Sequence, residues 1–319
     1  MERKKISVVV SVYNEELSLN QFYKTTVSVL DKCVWDYELI FVNDGSQDGS
    51  IELLKGFAKE NAKVKVVDFS RNFGHEAAMI AGIDHAQGDG VVCMDADLQH
   101  PPACIPDIIA KFEDGYEVIS MIRTKNADAG IIKRITSGAF YKVLNLMSPV
   151  KFENNSSDFF AISKNVAGVL RKDYREKIRY LRGYVQSVGF RKTTLEFEAQ
   201  KREAGESKYS IRKLLHFSIN ALCSFSDLPL KLGMYSGVFV ALCGFILMIF
   251  TIINKIVNGA PAGYSTIVVL CFMFAVVLMV IGIIGEYIAV LFAEIKDRPI
   301  YIVRDIYQEE KETHGGEKE

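Results

Sequence analysis

The stretch GDGVVCMDADLQHP, residues 88–101, decides the fold. Val91, Val92, Cys93 and Met94 form an unbroken apolar run without polar alternation, the pattern of a strand covered on both faces. The run ends at once in two carboxylates, Asp95 and Asp97. A strand buried on both sides needs neighbours of the same kind, and the flanking sequence supplies them. ISVVVSVY (6–13), YELIFVND (37–44) and KVKVVDFS (63–70) precede it, and YEVISMIR (116–123) follows. Helical segments separate these runs: EELSLNQFYKTTVSVLDKC, with Leu17, Phe22, Val29 and Leu30 at helical spacing, then SIELLKGFAKE, HEAAMIAGIDHAQ and CIPDIIAKFEDG. Repeated β-α units predict a mostly parallel sheet with helices on both faces. Such sheets bind ligands beyond the carboxyl ends of their strands. The polar motifs YNEE, NDGS, SRNFG and DADLQ all fall there.

Farther along the chain the composition changes. Residues 124–160 carry a basic helical stretch, IIKRITSGAFYKVLN, and residues 176–200 read as further helix with a strand or two. In SKYSIRKLLHFSINALCSFS (207–226), Ile211, Leu214, Leu215, Ile219, Leu222 and Phe225 share one helical face, as in an amphipathic core helix or, given the apolar segment that follows, a helix lying in a membrane interface. Residues 232–253 and 265–285 are apolar and uncharged, each about the 20 residues needed to cross a hydrocarbon core. They explain why 49% of the residues are hydrophobic and the mean hydropathy is +0.13. The link between them has one basic residue, Lys255. Lys201, Arg202, Lys208, Arg212, Lys213 and Lys231 precede the pair, and Lys296, Arg298, Arg304 and Lys311 follow it. This bias predicts a multi-pass protein of the inner (plasma) membrane with both termini cytosolic. The net charge of −1 gives no electrostatic case for nucleic acid. Six cysteines without a C-x-x-C pair argue for reduced thiols rather than a zinc site or disulfide framework. The N-terminal run MERKKISVVV is too short for a signal peptide and reads as a strand.

Two carboxylates one residue apart, where the chain leaves a buried strand, can converge on a hard cation. Mg²⁺ or Mn²⁺ takes oxygen ligands and commonly joins one or two carboxylates to substrate phosphates. Asp95 and Asp97 fit that role, with Gln99 as a third contact. Alone, D-x-D is weak, since most occurrences are solvated turns or caps. Its place among other acidic strand ends strengthens it. Tyr13 can stack on a base, Glu15 and Asp44 can accept hydrogen bonds from a nucleoside, and Arg71 can face base or phosphate. The competing reading makes YNEE and NDGSQDGS ordinary capped turns.

Taken together, VVVSVYNEE, FVNDGSQDGS, SRNFGHEAAMIAGIDHAQGD, MDADLQHPP and KREAGESKYS resemble family-two glycosyltransferases of the GT-A (Rossmann-like) fold, in particular the polyprenyl-phosphate enzymes of the bactoprenol glucosyltransferase and dolichol-phosphate mannosyltransferase type. The resemblance covers residues 5 to about 308. It implies a cytosolic catalytic domain over residues 1–206, amphipathic interfacial helices over 207–231, two transmembrane helices over 232–292 and a cytosolic tail over 293–319. It implies that Asp95, Asp97 and Gln99 hold the metal and donor diphosphate, that Tyr13, Glu15, Asp44 and Arg71 line the nucleotide pocket, and that Arg202 and Lys208 close over the phosphates. Asp158, in NNSSDFFAIS, matches the family's acidic residue before the acceptor site. This chain has Ser157 before it, and Phe160 where the family's G-D-F-R-L places arginine. Asp158 is then either a base or an orienting group. Because the acceptor is a dianion near a membrane, Arg123, Lys133, Arg134 and Ser137 are candidate phosphate ligands, with a lipid-facing basic helix as the alternative.

The expected activity is inverting transfer of one hexose from a nucleotide-sugar, UDP-glucose or a related UDP-sugar, to undecaprenyl phosphate on the cytosolic leaflet. The resemblance also implies a homo-oligomer, a tetramer included. Two alternatives carry less. A processive polysaccharide synthase typically has a Q-x-x-R-W motif, and the single tryptophan here is Trp35, in the N-terminal region. A non-catalytic nucleotide-sugar-binding scaffold would have no need of both carboxylates together with Arg202 and Lys208.

Overall fold

The computed structural model describes residues 3–124, 156–177, 180–198, 228–258 and 264–309. The chain divides into two units. The first is built on an eight-stranded sheet of order β7-β5-β6-β4-β1-β2-β3-β8. Its centre is β1 (Lys5–Val12), β2 (Asp36–Asn43), β3 (Val64–Phe69) and β4 (Gly90–Asp95), all mutually parallel. The connecting helices are α1 (Glu16–Leu30), α2 (Ser50–Glu60) and α3 (His75–His85). A short 3₁₀ turn at Pro102–Cys104 then leads into α4 (Ile105–Glu113) and β5 (Val118–Arg123). These elements lie close to the sequence-predicted runs. Val8, Val9, Val10, Leu39, Ile40, Phe41, Val91 and Val92 are fully buried, as continuous apolar strands covered on both faces must be.

Packing of α3 on the sheet depends on one residue without a side chain. A Cβ at Gly82 would lie 2.0 Å from Val9 Cγ1, so only glycine lets the helix approach β1 this closely. Gly45, at φ +67, turns the chain after β2 against the backbone of Arg71 at the end of β3, where a Cβ would meet the Arg71 carbonyl carbon at 2.5 Å.

Two strands run against the rest. β6 (Ser156–Ser163) lies between β4 and β5 and is antiparallel to both. Its amino-terminal end therefore falls at the carboxyl edge of β4. Helices α5 (Lys164–Asp173) and α6 (Leu181–Ser187) follow, and β7 (Lys192–Phe197) pairs parallel with β5. The second reversed strand is β8 (Val303–Tyr307), which adds antiparallel to the free edge of β3. The tail assigned to 293–319 thus carries a strand of the catalytic sheet. Its approach is pinned by Tyr301, whose hydroxyl donates to Asp84 (2.7 Å) while its ring stacks on Phe69 at 5.1 Å.

The second unit holds α7 (Leu228–Asn258) and α8 (Tyr264–Ile295). They pack as an antiparallel hairpin: a Cβ on Gly233 would lie 3.5 Å from Val280, and one on Gly244 3.5 Å from Met273. Phe272–Phe292 is long and apolar enough to cross a membrane, with mean hydropathy 2.5. In α7 the corresponding apolar stretch among the described residues is the shorter Gly233–Leu247. Phe239, Ile246, Phe250, Phe274, Leu278 and Leu291 are exposed on the two helices. Nearly all of the expected interfacial segment 207–231, and with it Lys208, lies outside the described residues, as do Lys133, Arg134, Ser137 and Arg202.

Candidate active site

The site is assembled at the carboxyl edge of β4 and β1. After Asp95 the chain reverses through Leu98, a buried leucine at φ +60, a conformation that costs about 1–2 kcal/mol outside glycine. Two contacts hold the turn. The Asp95 backbone N–H donates to His100 Nδ1 (3.0 Å), and the Gln99 N–H donates to the Asp97 carboxylate (3.1 Å). His100 is 3% exposed and stacked on Phe159 at 5.1 Å; its burial pushes the imidazole pKa down, so it stays neutral and accepts at Nδ1. Arg123, at the end of β5, donates from Nη2 to Gln99 Oε1 (3.2 Å), and its buried Nε has no partner among the described residues. The turn thus presents two carboxylates and an amide, with a guanidinium behind the amide.

No three His, Cys, Asp or Glu side chains form a ready cage among the described residues. Two carboxylates and an amide oxygen suit a cation that completes its shell with water and diphosphate oxygens, as Mg²⁺ and Mn²⁺ do, whereas zinc is held mainly by Cys and His. The donor set therefore fits the expected metal.

Asp158 enters from the opposite strand sense. The β4–β6 pairing ends at Cys93 with Phe160, so Asp95 and Asp158 both lie just beyond it, at the same edge of the sheet. Arg182 of α6 grips Asp158 through two contacts, Nε with Oδ1 and Nη2 with Oδ2 (2.5 Å). Burial works against an ionised Asp158, but the Arg182 charge and hydrogen bonds outweigh it and hold the carboxyl well below the usual range. Arg182 carries no signal in the sequence, because 24 residues separate it from its partner and no periodicity links them.

His75, the first residue of α3, stands between these carboxylates. Its Nδ1 lies 2.7 Å from Ser11 Oγ on β1 and 3.6 Å from Asp95 Oδ1; its Nε2 lies 3.8 Å from Asp158 Oδ2. Burial lowers its pKa, but the two carboxylates raise it more. Glu76 beside it accepts from the Leu181 N–H (3.2 Å), and burial with the nearby Asp158 charge lifts it to about 7.

The nucleotide-side motifs lock two loops together. The N–H groups of Asn14, Glu15 and Glu16 donate to Ser46, Ser50 and Asp48, while Gln47 and Gly49 donate back to the side chains of Asn14 and Glu16. Each βα loop so caps the other's helix, which satisfies orphan amides at both helix starts. Glu15 also accepts from Ser18 Oγ (3.1 Å). Asp44 is 2% exposed and its carboxylate accepts the N–H groups of Phe73 (2.6 Å) and Gly74 (3.0 Å). Its observed task is to hold the loop that leads into His75. Tyr13 is exposed at the end of β1, and the exposed Arg71 lays its guanidinium over Phe73 at 4.0 Å.

Comparison with known proteins shows the family. The model for glycosyl transferase family 2 matches residues 7–170, which include every strand that builds the site except β5's partner β7 and the edge strand β8. The chain is a family 2 glycosyltransferase. The GtrB C-terminal hairpin model matches residues 228–291 of this glycosyltransferase, covering α7 and most of α8. It is 40% identical over 303 residues to the uncharacterized glycosyltransferase YkcC of Bacillus subtilis, covering 94% of each chain. It is 37% identical over 302 residues to the SfII prophage-derived bactoprenol glucosyl transferase of Shigella flexneri, covering 94% of this chain and 97% of that one. Among solved structures, glucosyl-3-phosphoglycerate synthase from Mycobacterium tuberculosis, in complex with Mn²⁺, UDP-glucose and phosphoglyceric acid, is similar at 19% identity and TM-score 0.47, over 70% of this chain and 81% of that chain.

Proposed function

We propose that this glycosyltransferase transfers one hexose, glucose or a related sugar, from a UDP-sugar to undecaprenyl or another polyprenyl phosphate at the cytosolic face of the plasma membrane, with inversion at the anomeric carbon. The observation that carries the reading is the meeting of the Asp95–Asp97 turn with the Arg182-held Asp158 at one edge of the sheet. The near full-length similarity to bactoprenol glucosyl transferases supports the choice of sugar and acceptor. Both α7 and α8 serve as spans in this reading. Crossing twice would return the chain to the face it left, which is what two cytosolic termini require.

Asp95, Asp97 and Gln99 would hold Mg²⁺ or Mn²⁺, which when bound supplies positive charge against the departing diphosphate. Tyr13, Glu15, Asp44 and Arg71 line the nucleotide pocket in this reading, and Arg202 with Lys208 closes over the phosphates. Arg123, Lys133, Arg134 and Ser137 receive the acceptor phosphate. A phosphate monoester has a second pKa of about 6, so at neutral pH the lipid arrives largely as a dianion and needs no general base. Its oxygen bonds to C1 of the sugar while the C1–O bond to UDP breaks and UDP leaves with the electron pair. The protein's work is alignment and charge stabilisation. Asp158, too strongly paired to take a proton, orients Arg182 and the acceptor side. The processive-synthase alternative finds no support at Trp35, which is 5% exposed and donates its indole N–H to Glu113.

The test uses full-length protein in membranes with UDP-[¹⁴C]glucose, undecaprenyl phosphate and Mg²⁺ or Mn²⁺. The expected product is an acid-labile labelled lipid, lost by at least about 100-fold in Asp97→Asn. No labelled lipid from the wild type across a panel of UDP-hexoses, or equal yield from Asp97→Asn, would sink the proposal. Crosslinking in the same membranes tests for a homo-oligomer, up to a tetramer.

A further inference from the structure

We propose that His75 is a positioning residue of the transfer reaction, one that couples the donor-side carboxylate Asp95 to the acceptor-side carboxylate Asp158 through a single imidazole. The proposal rests on the function given above for the roles of the two sides.

The geometry is specific. Four elements converge on one ring: β1 contributes Ser11, α3 the histidine, β4 Asp95 and β6 Asp158. The Ser11 contact at 2.7 Å fixes the rotation of the ring, since one nitrogen is committed to a hydroxyl on the central strand. That rotation turns Nδ1 toward Asp95 Oδ1 (3.6 Å) and Nε2 toward Asp158 Oδ2 (3.8 Å). The backbone beneath it is fixed as well. Gly74, at φ +98, immediately precedes the ring, and Asp44 holds the N–H groups of Phe73 and Gly74. The buried carboxylate of the second βα loop therefore sets where His75 stands.

The ring held by Ser11 stands between carboxylates of adjacent strands, 3.6 Å from Asp95 and 3.8 Å from Asp158, so its bulk and its rotation set their separation. That separation matters because the acceptor oxygen must approach C1 opposite the leaving diphosphate, and a misplacement of about 1 Å is worth about 100-fold in rate. Carboxylates that hold a metal are in turn oriented by outer partners, whose loss costs about 10–100-fold in metal affinity or activity. His75 is 30% exposed on its side chain, so it faces the site instead of filling the core.

The experiment uses the full-length protein in nanodiscs and four readouts: kcat and KM for undecaprenyl phosphate, Mn²⁺·UDP affinity by manganese EPR, and melting temperature. His75→Ala is expected to lower kcat about 10–100-fold, weaken Mn²⁺·UDP binding several-fold and shift melting by no more than about 2 °C. His75→Asn keeps a polar atom near the Nδ1 position. It should recover Mn²⁺·UDP affinity toward wild type while leaving acceptor KM impaired. Turnover of His75→Ala within threefold of wild type, or losses that merely track a lower folded fraction, would overturn the proposal. A cycle of His75→Ala and Asp158→Asn in Mn²⁺·UDP affinity decides the coupling without any acceptor. Non-additivity of at least threefold supports it, and additivity refutes it. If wild type binds Mn²⁺·UDP but transfers nothing to any polyprenyl phosphate, the proposed function fails alone, and the cycle still decides His75.

Discussion

Replacing Arg182 with methionine removes both contacts to Asp158 while keeping most of the side chain's volume. Breaking a fully buried ion pair by deleting one partner costs about 3–5 kcal/mol, and an exposed pair is worth about 0–1 kcal/mol. Here the side chains of Arg182 and Asp158 are 29% and 24% exposed, which places the pair nearer the buried case. His75, 3.8 Å from Asp158, compensates part of the orphaned charge. A loss of about 2–3 kcal/mol is expected, and for a unit of this size that corresponds to a fall of roughly 5–10 °C in melting temperature. Trp35 is the chain's single tryptophan and is buried in the sheet unit, so its fluorescence follows that unit's unfolding. Arg182→Met/Asp158→Asn removes the charge along with its partner and should recover most of the stability. It should not recover turnover, because residues that act as a unit do not lose activity additively. Acid dependence gives a further check. The folded Asp158 carboxyl is depressed, so its stabilisation is present above the ordinary value near 3.8 and is lost as pH falls below it; in Arg182→Met that acid-dependent loss should be much smaller. A single variant that melts within 1 °C of wild type, or a double variant as unstable as the single one, would refute the reasoning.

Gly82→Ala should destabilise the sheet unit by about 2–3 kcal/mol through overpacking, because its Cβ falls 2.0 Å from Val9 Cγ1; Val9→Ala in the same chain should relieve part of the loss, and full stability of the single variant would contradict the packing described. Glu76 is held near 7, above its ordinary 4.5, so ionisation penalises the folded state progressively as pH rises through that window. Glu76→Gln should therefore match wild-type stability at pH 4.5 and exceed it at pH 8, by about 3 kcal/mol; an unchanged difference between the two pH values would be the contrary result. Chelating divalent ions should weaken UDP binding by at least tenfold in isothermal titration, and the effect should be absent in Asp95→Asn/Asp97→Asn.

The sequence exposed the parallel half of the sheet because strands buried on both faces are written as uninterrupted apolar runs, and each such run ended in polar residues that could only lie at the carboxyl edge. The reversed strands were less legible. DFFAIS reads as a strand, but nothing in it states direction, and its direction is what brings Asp158 beside Asp95. VRDIY is five residues long with its central three exposed, too little apolar signal to announce an edge strand after a long apolar helix. Arg182 and His75 were missed for a related reason. Each acts through partners 20 or more residues away along the chain, on elements whose neighbours only the folded sheet defines. Asp44 shows a further long-range partnership: its carboxylate accepts two backbone amides 29 and 30 residues downstream, which no sequence spacing announces.

The edge strand β8 bears on the order in which the protein is made. Synthesis runs from the amino terminus, so β3 leaves the ribosome more than two hundred residues before the strand that covers its edge, and α7 and α8 both emerge in between. Until then β3 presents a row of unpaired amides and carbonyls, the kind of edge that recruits foreign strands. The eight-stranded sheet can therefore be completed only after α7 and α8 have been synthesised. The Tyr301–Asp84 and Tyr301–Phe69 contacts can therefore form only in chains already synthesised through both apolar helices.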